Sequence, residues 1–237
     1  MYRLLTYLVI TQNKFDFCLI FLLFVTASFS TPLYAFTEEE LQWFANDEEK
    51  NVDSVNEGEL NFLTTTKNNT LHSINVLTIN TQSIDTGWVK LRQCYRHLDK
   101  LPAVDITYQY RFMRALAIHS KKQIEKATIN NQTISLENIS DNAEICVRAE
   151  VRIFYQNSDG TFSLMNGPYH RRFLDGYYPY HVTLAVTYPQ HVLRPVKTIP
   201  EEQQGFEIIH QQGKTTIDTV FEGILNTEII FKLIDNK

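Results

Sequence analysis

From Leu71 onward, apolar and polar residues alternate with a period of two, the pattern of strands that bury one face. Leu71–Ile79 and Gly87–Leu98 open this series. In the second, Val89, Leu91 and Tyr95 fall on one side and Lys90, Arg92, Cys94 and Arg96 on the other. Asp105–His119 carries Ile106, Tyr108, Tyr110, Phe112, Leu116 and Ile118 in one phase, interrupted by Arg114, which predicts a bulge or an edge. Gln123–Ile129 and Thr133–Ile139 predict a hairpin around Asn130-Asn131, residues that tolerate left-handed turns. Ala143–Tyr155 is the cleanest strand, with Ile145, Val147, Val151 and Ile153 set against Glu144, Cys146, Arg148, Glu150 and Arg152.

The turn Asn157-Ser158-Asp159-Gly160 predicts a return through Thr161–Met165. Val182, Leu184, Val186 and Tyr188 alternate with His181, Thr183, Ala185 and Thr187 in a further strand. A passage punctuated by Pro189, Pro195 and Pro200 follows. Phe206–His210 and Thr215–Phe221 then flank a turn, and Ile224–Ile234 is a last extended run. These short strands and turn signals predict an all-β, antiparallel β-sandwich, immunoglobulin-like or related. The sandwich occupies residues 70–237, with 198–237 adding C-terminal strands to it.

The amino-terminal part reads differently. Arg3, a first apolar run, a polar break and the run Phe17–Val25 give residues 1–35 the build of a signal peptide, with a hydrophobic core too short to span a bilayer comfortably. Cleavage is expected near Ala35, with a cut after Ser30 as the alternative and an uncleaved anchor as a third reading. Residues 36–69 read as a short helix and a polar linker. Thr37 and Glu40 form a capping box ahead of Leu41, Phe44 and Ala45, so 38–49 predicts one short N-terminal amphipathic helix. The linker carries one apolar knot at Leu60, Phe62 and Leu63, expected to dock once.

Export sets the compartment and the charge. Losing Arg3, Lys14 and Asp16 with residues 1–35 moves the formal net charge from −5 to −6, which argues against nucleic acid as a partner. Two cysteines remain, Cys94 and Cys146. In an oxidising periplasmic or secreted setting they are read most simply as a disulfide, with a pair of buried thiols as the alternative. Both lie in the polar phase of their strands, so a bridge would lie on an outer face between neighbouring strands of one sheet, covered by another segment. Sequons at Asn68, Asn131 and Asn138 matter only in a glycosylating host.

Candidate chemistry concentrates between Asn166 and Val186. Gly167-Pro168, Gly176 and Pro179 shape a loop that presents Tyr169, His170, Arg171, Arg172, Asp175, Tyr177, Tyr178 and His181. Such a loop suits an anion, a sugar or a peptide. The competing reading is a structural corner in which tyrosines fill a core edge and Arg172 pairs with Asp175. No nucleophile elbow, zinc-protease helix, phosphate loop or dinucleotide fingerprint is present, so no cofactor is expected. The seven histidines lie at 72, 97, 119, 170, 181, 191 and 210, none spaced i, i+2 or i, i+4, and no metal site is predicted, although ligands distant in sequence can still converge.

The expected function is therefore that of an exported, non-catalytic cell-envelope or periplasmic module for binding or assembly, whose partner is another envelope protein or a glycan. It touches a membrane only if the N-terminal segment stays uncleaved. One alternative is an exported hydrolase using His170, Asp175 and His181 with Arg171 or Arg172 on an anionic group. Another is a small outer-membrane β-barrel, since strands apolar on one side and charged on the other also suit lipid and lumen.

Overall fold

In the computed structural model, residues 56–65, 70–173 and 176–234 are described. The signal peptide expected over 1–35, the helix expected over 38–49, and Asp175 lie outside them. Within them the chain is a β-sandwich of a nine-stranded and a four-stranded sheet. Both run as open paths of strands, as a sandwich and not a barrel requires.

The centre of the large sheet is β2 (His72–Thr78) beside β3 (Trp88–Leu98). They are joined by a short helix, α1 (Thr81–Thr86), that the strand pattern did not predict. Its start is local chemistry. Asn80 accepts a hydrogen bond from the Ser83 amide through its side chain, and Ser83 Oγ accepts from the Asn80 amide, both at 3.0 Å. Gly87, with φ 74°, ends it in the left-handed conformation.

Beyond β3 comes β6 (Thr133–Arg152), one continuous strand where two separate ones were expected. Asn138 and Asn142, both with positive φ, bend it without ending it. One flank of β6 takes β3 and then β4 (Leu101–Thr107), and the other takes the hairpin partner β5 (Met113–Asn130). The run expected from Asp105 to His119 is thus two strands parted at Tyr108–Phe112, where the tyrosines turn inward. The irregularity anticipated at Arg114 is present as a register shift between Arg114 and Ala117. There Arg114 donates to Glu150 Oε2 at 2.7 Å and lies 4.1 Å over the Trp88 ring.

On the other side of β2 lies β11 (Tyr180–Thr187), parallel to it, followed by β14 (Lys214–Glu222). The far flank of β14 is shared by β13 (Phe206–Gln211) and β1 (Asn61–Leu63), so the apolar knot around Phe62 docks as a short edge strand.

The small sheet runs β12 (Leu193–Ile199), β15 (Leu225–Leu233), β8 (Phe162–Tyr169), β7 (Phe154–Gln156). The proline-punctuated passage is therefore strand after all. It holds the edge, where Pro195 removes no needed donor and the register shifts between Pro195 and Lys197. Phe154, Phe162, Leu164, Ile229 and Phe231 of this sheet meet Leu77, Leu91, Val147, Leu184 and Ile217 of the other in one buried core.

Cys94 and Cys146 sit opposite one another across β3 and β6 and form a disulfide. As their phase implied, they lie on the half-exposed face, away from the core that Val89, Leu91, Ile145 and Val147 fill.

Candidate binding site

Where the two sheets part, beyond the ends of β3 and β11, the inner face changes character from aliphatic to aromatic and polar. Tyr95 continues the buried phase of β3, Tyr180 opens that of β11, and Tyr169 closes β8. Tyr108 and Tyr110 come from the β4–β5 connection. Together they line a cavity of about 350 Å³, within the range of small-molecule sites. Burial raises all five phenols, Tyr180 to about 12, so none carries charge at neutral pH.

Behind one lining residue, Gln93, lies a polar network within the core. Gln93 lies in the apolar phase of β3, between Leu91 and Tyr95, and its Nε2 donates to Ser73 Oγ at 2.9 Å. Asn75 Nδ2 donates to the same Ser73 hydroxyl at 3.1 Å and to the Thr183 carbonyl at 3.3 Å. This fixes the Gln93 amide with its oxygen turned away from Ser73, and among the described residues Gln93 Oε1 has no hydrogen-bond partner. Nor do Tyr108 OH and His170 Nδ1, although the Tyr95 hydroxyl is near enough to influence Tyr108. All three residues line the same cavity. Buried polar atoms are nearly always paired, so three unpaired ones on residues of one cavity set it apart from the rest of the core.

The wall is held by its own bonds. Tyr110 OH donates to Asn166 Oδ1 at 2.6 Å, while Asn166 Nδ2 donates to Tyr169 OH. Gly167 turns the chain between them with φ 123°. A Cβ there would lie 2.8 Å from the Leu225 carbonyl oxygen.

Of the residues singled out in the sequence, Tyr169, His170, Arg171 and Arg172 stand on the cavity wall. Arg171 is engaged, its Nη2 donating to Asp99 Oδ2 at 2.5 Å and its Nη1 to the Pro179 carbonyl at 3.3 Å. Arg172 is exposed in β9 (Arg172–Phe173), which pairs with β10 (Gly176–Tyr177) in a minimal hairpin. Its guanidinium sits 5.9 Å over Tyr177, whose ring also meets His170 edge-on. Tyr178 is exposed beside Arg171. Burial, with Arg172 nearby, lowers the pKa of His170.

His181 is not part of this wall. It follows Tyr180 in the same strand, and the pleat sends consecutive side chains to opposite faces. On the outer face it stacks on His72 with ring centroids 3.7 Å apart and planes within 5°. Its Nε2 bonds Asp218 at 3.1 Å to Oδ1 and 3.2 Å to Oδ2. Thr183 Oγ1 donates to Asp218 Oδ1 at 2.5 Å and lies 2.8 Å from His72 Nε2. The structure therefore does not bring His170 and His181 together.

Sequence reasoning passed over Gln93, Tyr95, Tyr108, Tyr110 and Tyr180 for the cavity, and His72, Thr183 and Asp218 for the outer cluster. One signal was readable: Ser73, Asn75 and Gln93 place polar side chains in the apolar phase of their strands.

Fold and cavity together define a β-sandwich with a tyrosine-lined pocket at one end of its core. No protein-family model and no curated protein matches the chain. Among solved structures it is similar to an M1 zinc metallopeptidase from Deinococcus radiodurans, at 11% identity and a TM-score of 0.36 over 76% of this chain and 43% of that one. A variant of that enzyme bound to a Tyr-Ser-Ala substrate aligns at 10% identity and a TM-score of 0.39 over 76% and 44%. The chain spans less than half the length of these structures, and so distant a likeness carries no functional argument.

Proposed function

We propose that the protein is an exported, non-catalytic binding module that holds a saccharide unit of an envelope glycan in the tyrosine-lined cavity. The observation that carries this reading is the set of buried polar atoms without a partner, Gln93 Oε1, Tyr108 OH and His170 Nδ1, on residues that line one aromatic cavity. A sugar offers hydroxyl donors to the amide oxygen and an apolar ring face to the tyrosines. A cation would want several carboxylates, and this wall offers one, Asp105, among neutral phenols. An anion would want several free guanidinium groups, and of the two on the wall Arg171 is already engaged by Asp99, which leaves only Arg172. The disulfide supports export, since such bonds persist in oxidising compartments.

The test is a glycan array probed with the purified chain beside Tyr108→Phe, followed by calorimetry on the best saccharide. Binding by the parent that weakens about 10-fold in the variant, in line with one lost hydrogen bond in a dry site, supports the reading. Capture of no saccharide, or equal affinity in both proteins, refutes it. A peptide selected instead from a display library by the same wall would identify a protein partner.

A further inference from the structure

The outer face of the large sheet gathers a second group of side chains that the cavity does not use. His72 on β2 and His181 on β11 are directly opposite in the parallel register, and Asp218 on β14 is opposite Thr183, two residues further along β11. Three adjacent strands thus deliver two imidazoles and one carboxylate to one spot. Their ligand-type atoms all lie within 4.8 Å of one another.

We propose that His72, His181 and Asp218 form a binding site for a divalent transition-metal ion of the zinc class. Two imidazole nitrogens and a carboxylate oxygen are a set that Zn²⁺ takes with a fourth position left for water or a further ligand. His181 and Asp218 are partly exposed, so an ion has an entry path and solvent has access to that fourth position. Metal–ligand distances of about 2.0–2.2 Å require donors roughly 3.3 Å apart around a tetrahedron. The atoms here close to that separation by side-chain rotation, because the strand backbones already hold the three residues side by side. The parallel rings must swing out of their stack so that each points a nitrogen at the ion.

Protons balance without an added acid or base. In the hydrogen-bonded state each Nε2 carries the imidazole proton, donating to Thr183 or Asp218. On coordination that proton moves to Nδ1 of the same ring, and the metal takes the vacated lone pair. Thr183, between His72 and Asp218, is a positioning residue. Its bond to Asp218 orients the carboxylate as supporting partners of metal ligands commonly do.

The probe is ZnCl₂ itself, titrated calorimetrically into the full chain with its disulfide formed and metals removed by chelator. The expected result is one equivalent bound at micromolar or lower Kd. It should weaken by at least the roughly 10–100-fold that loss of even a supporting partner costs when His72→Ala or Asp218→Asn is introduced. His210→Ala, on the neighbouring strand β13, should change nothing. Co²⁺ in place of Zn²⁺ should give visible absorption bands that His181→Ala abolishes, with near-ultraviolet circular dichroism confirming that each variant is folded. Absence of stoichiometric uptake by the folded parent overturns the proposal. So does equal uptake by the folded His72→Ala/His181→Ala double variant, which would leave only a hydrogen-bonded cluster. Neither outcome depends on whether the cavity binds a saccharide.

Discussion

Gln93 and Ser73 meet diagonally across β3 and β2 in an unequal arrangement: the Gln93 amide nitrogen is bound to Ser73 Oγ at 2.9 Å, while its oxygen has no hydrogen-bond partner among the described residues. An amide pinned at one end presents its other end in a fixed direction. Such preorganisation costs stability in the empty protein and is recovered only when a donor arrives. The cavity differs in this from a packing defect, which would be lined by apolar groups.

The two neighbouring tyrosines should therefore respond differently to loss of their hydroxyls. Tyr108→Phe removes a hydroxyl whose one polar neighbour, the Tyr95 hydroxyl, is not in good hydrogen-bonding geometry, and should leave stability within about 0.5 kcal/mol of the parent. Tyr110→Phe removes the 2.6 Å bond to Asn166 and should cost about 1 kcal/mol. Urea denaturation of both variants measures the contrast, and equal losses would mean that the Tyr108 hydroxyl is satisfied after all.

Gly167→Ala should be more damaging than its size suggests. The residue holds φ 123°, and the added methyl would press on the Leu225 carbonyl at 2.8 Å. Backbone strain of this kind costs on the order of 1–3 kcal/mol. The shift would displace Tyr169 from the cavity wall, so a thermal melt should show a lowered Tm together with weaker binding of any saccharide the array identifies.

The disulfide closes a loop with a sequence separation of 52. Chain-entropy reasoning assigns such a closure up to about 4 kcal/mol, an upper figure because unfolded chains retain structure. Replacing Cys94 and Cys146 together by Ser should lower stability by a large part of that amount. It should also abolish the effect of reductant on the guanidinium midpoint. A parent insensitive to reductant would show that the bond contributes little.

Stability of the metal-free protein should fall on mild acidification. Burial, and then the facing His181, lower the His72 pKa from 6.5 to about 4 against the opposing pull of Asp218, with Arg96 and His97 adding to the lowering. Because the unfolded chain takes up a proton near pH 6.5 and the folded one only near 4, stability is full above that window and declines as pH falls through it. Burial acts to raise the Asp218 carboxyl, but hydrogen bonds from His181 and Thr183 outweigh it and hold the group below its usual range. Its contribution is lost in the same direction, at lower pH. Melts in chelator between pH 7.5 and 4.5 should slope more steeply for the parent than for His72→Gln, and parallel slopes would count against this origin.

Much of the sandwich could be read from alternation alone. Val89, Leu91 and Tyr95, or Ile145, Val147 and Val151, declare a buried face because the strand period is two and one side has no water. What escaped has physical causes. The helix at Thr81–Thr86 depends on a reciprocal Asn80–Ser83 cap in a segment too short for a helical stripe. The edge strand at Leu193–Ile199 was obscured because Pro195 is tolerated only where one flank is unpaired, and edge position is a tertiary fact.

The site was legible in part. Tyr169, His170, Arg171 and Arg172 drew attention as one dense loop, and they share one wall. Gln93 and Tyr180 reach the same space from distant strands and Tyr108 from the β4–β5 connection, and His181 left it because a single step along a strand reverses its face. The pairing of His72 with His181 follows from a parallel register that nothing local specifies.

That register also bears on how the protein is made. His72 and Thr183 touch across 111 positions of chain, so the central strand β2 lacks one of its two neighbours until β11 has emerged from the ribosome. The hairpin of β5 and β6, by contrast, can zip locally as soon as it is synthesised. During synthesis the nascent molecule thus carries an unpaired β2 edge beside an already formed ribbon. Such an edge attracts other strands, and holding it apart until the C-terminal third arrives is a task suited to a chaperone.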